Sequence, residues 1–214
     1  MEEQADFLKE DLIRFGKELC KFYEMMKDHS LTENDYYDAF IKMCYNYNEH
    51  SIIPYSVLHE LIFSDKIPME SYYLEAFMYV YGMHDVSNTF LEDFQKILEI
   101  GCNEKYIENS REKIKKYVKD GYVIAYRGEF AVLNIGNLDY RQSVSYSLDY
   151  EQAKRFATRF NDFSDIKKSV IHTVKVPIND VVAYIEREDE VVCIPISIGG
   201  KMELIKTDDM LKEQ

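Results

Sequence analysis

The chain is poor in several residue types, and each shortage excludes a class of protein. It has no Trp, 4 Pro and 8 Gly among 214 residues, so neither a Pro-rich linker nor a Gly-rich low-complexity segment interrupts it. Its four cysteines (Cys20, Cys44, Cys102 and Cys193) lack the CxxC spacing of a zinc site and form no disulfide pattern, so we expect reduced, buried thiols. No apolar run approaches the roughly 18 residues of a membrane span, and the acidic start does not resemble a secretory signal. These shortages predict a cytoplasmic protein, of either the producing cell or a host cell.

Basic residues are also scarce relative to acidic ones. The chain has 26 Lys and Arg against 39 Asp and Glu, a formal net charge of −13. A protein that grips the phosphate backbone of a nucleic acid needs a basic surface, so direct nucleic-acid binding is not expected. The plain interpretation of the charge is solubility, and the sharper one is attraction to a basic partner or mimicry of a nucleic acid.

The first half of the sequence has the periodicity of amphipathic helices. Thr32 is a candidate N-cap, Pro54 is placed to open a helix, and Asn109 with Glu112 resembles a capping box. Thr89 with Glu92 resembles another. The apolar stripe expected for the first helix is Leu8, Leu12, Phe15, Leu19, Phe22 and Met26.

The pattern changes after Gly121, where β-branched and aromatic residues begin to alternate with others. Asp149 is a candidate N-cap for the single helix expected among these strands. The runs that predict strands are 122–126, 143–147, 170–176 and 191–194. The run 181–185 is expected to form a short strand or a turn, and the run 201–205 is expected to return as a hairpin partner after Gly199-Gly200.

We therefore expect an α+β fold, with a helical portion over residues 1–117 and a mostly antiparallel, β-sandwich-like portion over residues 118–214. Nothing between the two has the composition of a flexible linker, so we expect them to pack as one compact unit.

Two carboxylates stand out in the second portion. Glu188 and Glu190 come directly before an apolar strand, and residues i and i+2 of a strand project to the same face. Two like charges are costly to bring together unless a cation or a developing positive charge faces them. The alternative is a solvated acidic turn, because Glu186, Arg187 and Asp189 share the loop.

Three segments in this order complete a pattern: Tyr126-Arg127-Gly128-Glu129, Ser145-Tyr146-Ser147, and Glu188-Asp189-Glu190. They resemble the Arg–Ser–Glu signature of the mono-ADP-ribosyltransferases, in the toxin-type and bacteriophage-type branch. The resemblance covers roughly residues 118–206. It departs from the family at Tyr146, where Thr is frequent. It implies an ADP-ribosyltransferase core preceded by a helical cap over one wall of the NAD cleft.

The resemblance also implies roles for individual residues. Arg127, with Gly128 beside it, would hold NAD, since a guanidinium binds a pyrophosphate in bidentate fashion; the alternative for Arg127 is a surface ion pair with Glu129. Ser145 would orient the catalytic carboxylate and shape the nicotinamide pocket, and Ser147 would stabilise the strand-to-helix corner. An ordinary serine strand edge is the alternative for both.

Glu190 resembles the catalytic glutamate of the family. Cleavage of the nicotinamide–ribose bond creates an oxocarbenium-like cation, which a carboxylate on the ribose 2′-hydroxyl stabilises. Glu188 resembles the position that engages the acceptor, and Glu there goes with arginine acceptors. Tyr184 could contact the protein target or be a packed strand residue, and His172 is interpreted as a structural strand histidine.

The resulting hypothesis is an enzyme that transfers ADP-ribose from NAD to a side chain, most simply arginine, of an intracellular protein, with no metal. Phage effectors and toxins of toxin–antitoxin pairs both fit. The acidic charge suggests a basic target such as a nucleic-acid-handling protein. The alternatives are a protein of the same fold that inhibits a basic partner stoichiometrically, and an NAD glycohydrolase that uses water as acceptor.

Overall fold

The computed structural model describes residues 2–47, 51–64, 68–82, 90–132, 139–159 and 166–210. The chain divides into two compact units, Met1–Asn103 and Glu104–Gln214, and each is described by itself. The boundary expected from the sequence, between residues 117 and 118, lies inside the second unit. No described helix is both long and apolar enough to cross a bilayer.

The first unit is helical in its described residues. It contains α1 (Glu2–Met25), α2 (Glu33–Cys44), α3 (Ile53–Ser64), α4 (Tyr73–Tyr81) and α5 (Leu91–Ile100), with a 3-10 turn at Glu70–Tyr72. The predicted cap of α2 is confirmed: Thr32 and Asp35 form a reciprocal capping box, in which the Asp35 carboxylate accepts the Thr32 amide at 2.7 Å. Thr89, expected to cap α5, lies outside the described residues.

The core of the first unit is apolar and aromatic. Phe40, Val57, Leu61 and Phe77 from α2, α3 and α4 are essentially inaccessible to water. The stripe predicted for α1 is wrong at one position, because Leu12 is 70 % exposed while Phe22 is buried. The end of α1 that carries Phe22 meets the core, where Phe22 lies against Phe40 with ring centroids 6.5 Å apart.

In its described residues, the second unit combines two α-helices with one antiparallel sheet. The helices are α6 (Glu104–Lys113) and α7 (Tyr150–Thr158). The strands are β1 (Tyr122–Val132), β2 (Ser145–Ser147), β3 (Ile166–Pro177), β4 (Val181–Ile185), β5 (Glu190–Cys193) and β6 (Glu203–Asp209), in the spatial order β4-β5-β2-β1-β3-β6. The α+β class is therefore confirmed. Asp149 caps α7 as predicted, because its carboxylate accepts the Glu151 amide at 2.8 Å.

The capping box predicted at Asn109 is wrong, because Asn109 lies inside α6 rather than before it. The same spacing of Asn and Glu occurs within helices, where it has no capping role. The last turn of α6 instead attaches the helix to the sheet. Arg111 donates Nε to the Val181 carbonyl at 2.9 Å and Nη2 to the Asn179 carbonyl at 2.7 Å.

The hairpin expected around Gly199-Gly200 is also wrong. β6 pairs with β3 at the opposite end of the sheet from β4, and not with β5. The chain crosses over at Gly200, where an added Cβ would lie 1.8 Å from the Ile194 carbonyl oxygen. Asp180 fixes the crossing, since its carboxylate accepts the Lys201 amide and its carbonyl accepts the Ile194 amide.

Two apolar clusters hold the second unit together. The larger is built on Val123, Tyr146, Val174, Val191 and neighbouring buried residues. The smaller joins α7 to the sheet through Ala153, Ala157 and Ile171. The small side chains of α7 let the helix backbone approach β1 closely, and this approach places the strand that carries Arg127.

Candidate active site

The three motifs singled out in the sequence lie on three neighbouring strands, β1, β2 and β5. In the strand register, Ser147 of β2 is opposite Glu190 of β5 on one side and opposite Tyr126 of β1 on the other. Residues opposite each other in antiparallel strands project to the same face of the sheet. The pairing therefore places the strand segments that carry Arg127, Ser145 and Glu190 side by side, although these residues are far apart in sequence. Arg127 follows Tyr126 and is not on the face that Ser147 and Glu190 share by register, so hydrogen bonds rather than strand alternation connect it to Ser145.

Arg127 is held by the middle strand. Its Nη1 donates to the Ser145 hydroxyl oxygen at 3.2 Å and to the Ser145 carbonyl at 3.3 Å. Its Nε lies 3.4 Å from a Glu129 carboxylate oxygen, and the Arg127 side chain is 29 % exposed. The ion pair considered as the alternative for Arg127 is thus present, but it lies partly buried inside the cluster.

Glu190 occupies the other side of Ser145. Burial raises the pKa of Glu190, and the Glu188 carboxylate raises it further, while a hydrogen bond with Ser145 and the charge of Arg127 oppose the shift without cancelling it. Glu190 is therefore a carboxylate whose ionised form is poorly solvated. The ionised form of such a group is stabilised by a positive charge that develops close to it.

Glu188 does not lie in the strand, contrary to the expectation from i, i+2 alternation. It ends a 3-10 turn (Glu186–Glu188), and β5 begins only at Glu190. Glu188 still influences Glu190, as the pKa shift shows. The Arg187 guanidinium forms an exposed ion pair with Glu188.

Asp189 explains how the turn presents both carboxylates. It has a left-handed backbone, with φ of 49°, which is uncommon for a residue other than Gly. Its carboxylate accepts the Tyr184 hydroxyl at 2.7 Å and the Tyr117 hydroxyl at 3.0 Å, and its carbonyl accepts the Leu148 amide at 2.7 Å. The structure thus places Tyr184 as a packed strand residue of β4 whose hydroxyl is already engaged.

Ser147 lies at the corner between β2 and α7. Its hydroxyl oxygen accepts the Asp149 amide at 3.0 Å. This contact precedes the helix cap formed by Asp149 and fixes where α7 begins. Ser147 itself is buried, and its backbone is paired with Glu190.

Gly128 has a structural reason to be glycine. An added Cβ would lie 1.8 Å from the Ala153 carbonyl oxygen and 2.9 Å from the Ala157 amide nitrogen, both in the backbone of α7. β1 and α7 touch at this residue through backbone atoms alone. A role for Gly128 toward NAD stays a prediction.

The sequence indicated Glu129 only as a surface ion-pair partner of Arg127, and it did not indicate that this carboxylate is largely buried and lies beside His172. Glu129 accepts the Ser143 hydroxyl at 3.0 Å, and its second oxygen faces Nε2 of His172 at 3.5 Å. His172 is buried in β3, directly opposite Arg127 in the register, and its Nδ1 lies 2.9 Å from the Thr207 hydroxyl. A signal was available, because Glu129 lies two residues after Arg127 on the same face of a strand.

Comparison of the chain with protein-family models, with curated proteins and with solved structures gives no match. Within the residues that the structure describes, no three His, Cys, Asp or Glu side chains are arranged to hold a metal ion. The case for a function therefore depends on the geometry of the cluster itself.

Proposed function

We propose that this chain is an NAD-dependent mono-ADP-ribosyltransferase with Arg127, Ser145 and Glu190 as its central residues. The observation that carries the proposal is their convergence: a guanidinium, a hydroxyl and a partly buried carboxylate interact across three adjacent strands. This set supplies what NAD cleavage needs. The ADP-ribosyltransferase core and the helical cap of residues 1–117 belong to the same proposal.

The proposed reaction begins with binding of NAD through its pyrophosphate. Arg127 supplies the positive charge and the planar array of donors that two phosphates require. Ser145 keeps the guanidinium in place while its hydroxyl also engages Glu190. Ser145 thereby holds Arg127 and Glu190 at a fixed separation. Two groups that act at different points of one dinucleotide need such a fixed separation.

The bond that breaks joins the anomeric carbon of the ribose to the nicotinamide nitrogen. The nitrogen takes the bonding electrons and leaves as neutral nicotinamide, while positive charge develops on the ribose. Glu190, hydrogen-bonded to the ribose 2′-hydroxyl, stabilises that charge. Because its ionised form is poorly solvated, the stabilisation is larger than an exposed carboxylate would give.

The acceptor then attacks the anomeric carbon from the side that nicotinamide has left. Glu188, which is partly exposed at the end of the turn, would position an arginine guanidinium and take its proton. The acceptor is thus proposed to be arginine in a protein target, and the net charge of −13 favours a basic one.

The test is release of nicotinamide from NAD, measured by mass spectrometry in buffer and in a cell lysate. Wild-type protein should release nicotinamide faster with lysate, and Glu190→Gln should abolish release. Glu186→Gln makes the same chemical change at an exposed residue of the same loop and should leave release intact. Equal losses in the two variants would point to a damaged loop rather than to a catalytic carboxylate.

Glu188→Ala separates transfer from hydrolysis. In a transferase, this variant should lose labelling of protein while retaining some nicotinamide release. If the natural reaction is glycohydrolysis, Glu188→Ala should leave release almost unchanged. A folded wild-type protein that releases no nicotinamide in either setting would favour the binding-protein alternative.

A further inference from the structure

Glu129 is a buried carboxylate placed between two nitrogen groups, and nothing in the proposed reaction uses it. One of its oxygens accepts the Ser143 hydroxyl at 3.0 Å and lies 3.4 Å from Nε of Arg127. The other lies 3.5 Å from Nε2 of His172. Among the described residues, neither that second oxygen nor His172 Nε2 has a hydrogen-bond partner, although both are buried.

These distances show that Glu129 is only loosely in contact with both Arg127 and His172. A charged N–H···O pair normally closes to about 2.7–2.9 Å, so the contacts of Glu129 with Arg127 and with His172 are both long. An unpaired buried donor and acceptor are each costly, and they face one another here. A small rotation of the Glu129 side chain toward His172 would complete one contact and release the other.

Glu129 is also charged at neutral pH. Burial opposes its ionisation, but His172, Arg127 and Ser143 together outweigh burial and hold the pKa of Glu129 below its usual range. A full negative charge therefore lies beside the guanidinium proposed to bind the pyrophosphate. That charge repels an incoming anion and competes with it for Arg127.

We propose that Glu129 is an internal counter-ion of Arg127, which the pyrophosphate of NAD displaces toward His172, so that the Glu129–His172 pair sets how tightly the site binds the dinucleotide. This inference rests on the proposed role of Arg127 in binding NAD. It assigns Glu129 and His172 to ligand affinity, and neither residue touches the reacting atoms.

The counter-ion role predicts effects of opposite sign at two neighbouring residues. Glu129→Gln keeps the shape and an oxygen for Ser143 but removes the competing charge, so ligand affinity should rise. His172→Gln removes the group that receives Glu129, so Glu129 should stay on Arg127 and affinity should fall. An exposed ion pair contributes up to about 1 kcal/mol, which corresponds to about fivefold in affinity. We expect changes of at least that size at this partly buried pair.

The experiment is calorimetric titration with ADP-ribose, which contains the pyrophosphate of NAD but has no nicotinamide to release. Adenosine, which lacks phosphate, is the control ligand, and its binding should not change in either variant. Glu203→Gln is the control variant, because it removes one negative charge from an exposed position on β6. Near-ultraviolet circular dichroism and thermal unfolding establish that each variant is folded.

The proposal is supported if Glu129→Gln tightens ADP-ribose binding while its melting temperature falls, and if His172→Gln weakens binding. A purely structural role would weaken binding in both variants, and that result would overturn the proposal. The sign measured in Glu129→Gln decides, even if His172→Gln fails to fold. If Glu129→Gln fails to fold, Glu129→Ala, which also removes the charge, takes its place and must likewise tighten binding. If the wild-type protein binds ADP-ribose but Glu129→Gln does not bind it more tightly, the counter-ion proposal is overturned and the proposed function stands. Wild-type protein that does not bind ADP-ribose at all would refute both.

Discussion

Gly128→Ala offers the sharpest test of how the fold positions the site. The added methyl group would meet the Ala153 carbonyl oxygen at 1.8 Å, whereas ordinary contacts begin at 3.4 Å, so β1 and α7 would have to separate by about 1.6 Å. The atoms in the way belong to the helix backbone and cannot rotate aside. Overpacking of a core costs about 1–3 kcal/mol, and we expect the upper end, or about 6–12 °C in melting temperature for a chain of this length.

The same change should also reduce activity, because Gly128 directly follows Arg127 on β1. A displacement of about 1 Å at a site residue can lower a rate by about two orders of magnitude. Nicotinamide release should therefore fall at temperatures where the variant is still folded. Adding Ala153→Gly should not rescue it, since the clash is with the backbone and not with the Ala153 side chain.

Gly16→Ala is the matched control. Gly16 lies inside α1, and a Cβ there would have nothing within 4 Å. Alanine is favoured over glycine in a helix by about 0.5–1 kcal/mol, so this variant should be slightly stabilised. A Gly128→Ala variant with the melting temperature and activity of wild type would refute the close packing of β1 on α7.

Four further predictions concern the carboxylates of the site. Burial raises the pKa of Glu190, so nicotinamide release should begin to fall, as the pH is lowered, above the pH at which an ordinary glutamate titrates, about 4.3. A rate that falls only at or below that pH would contradict the raised pKa. At neutral pH, Glu190→Gln should raise the melting temperature, since the ionised form is penalised in the fold, and the gain should disappear as pH falls through the raised pKa. Glu129→Gln should lower the melting temperature, and the difference from wild type should disappear as the pH falls through the depressed pKa of Glu129. Shifts of the melting temperature with the same sign in Glu190→Gln and Glu129→Gln would refute the opposite pKa shifts of the two carboxylates. Asp189→Gly can adopt the left-handed backbone of the turn but loses the hydrogen bonds from Tyr117 and Tyr184. We expect about tenfold slower nicotinamide release with the melting temperature nearly unchanged, and unaltered release would refute a role of these two hydrogen bonds in positioning the turn.

The elements that were predicted correctly depend on local signals. Thr32 and Asp149 cap their helices because a short polar side chain at the first turn bonds backbone amides a few residues away. The apolar run at residues 181–185 is also a local signal, and the structure forms the strand β4 there. The sequence also indicated Arg127, Ser145 and Glu190 through a family resemblance, and the sheet places them on neighbouring strands.

The predictions that failed concern partners and backbone states that no local pattern encodes. The two glycines before β6 suggested a hairpin, but Gly200 is needed for close approach to the Ile194 carbonyl, and β6 pairs with β3 instead. The left-handed conformation of Asp189 is stabilised by tyrosines from two distant segments. His172 lies in a strand as expected, but its proximity to Glu129 could not be predicted, because that proximity exists only once β1 and β3 are paired.

The strand order also determines how the site can move. β1, β2 and β5 are each paired on both sides, while β4 and β6 form the two edges of the sheet. Edge strands open by local fluctuations of low free energy, whereas interior strands exchange their amide hydrogens only through openings that approach global unfolding. Arg127, Ser145 and Glu190 should therefore keep their relative geometry even while either edge frays. The centre would then persist as long as the whole fold does.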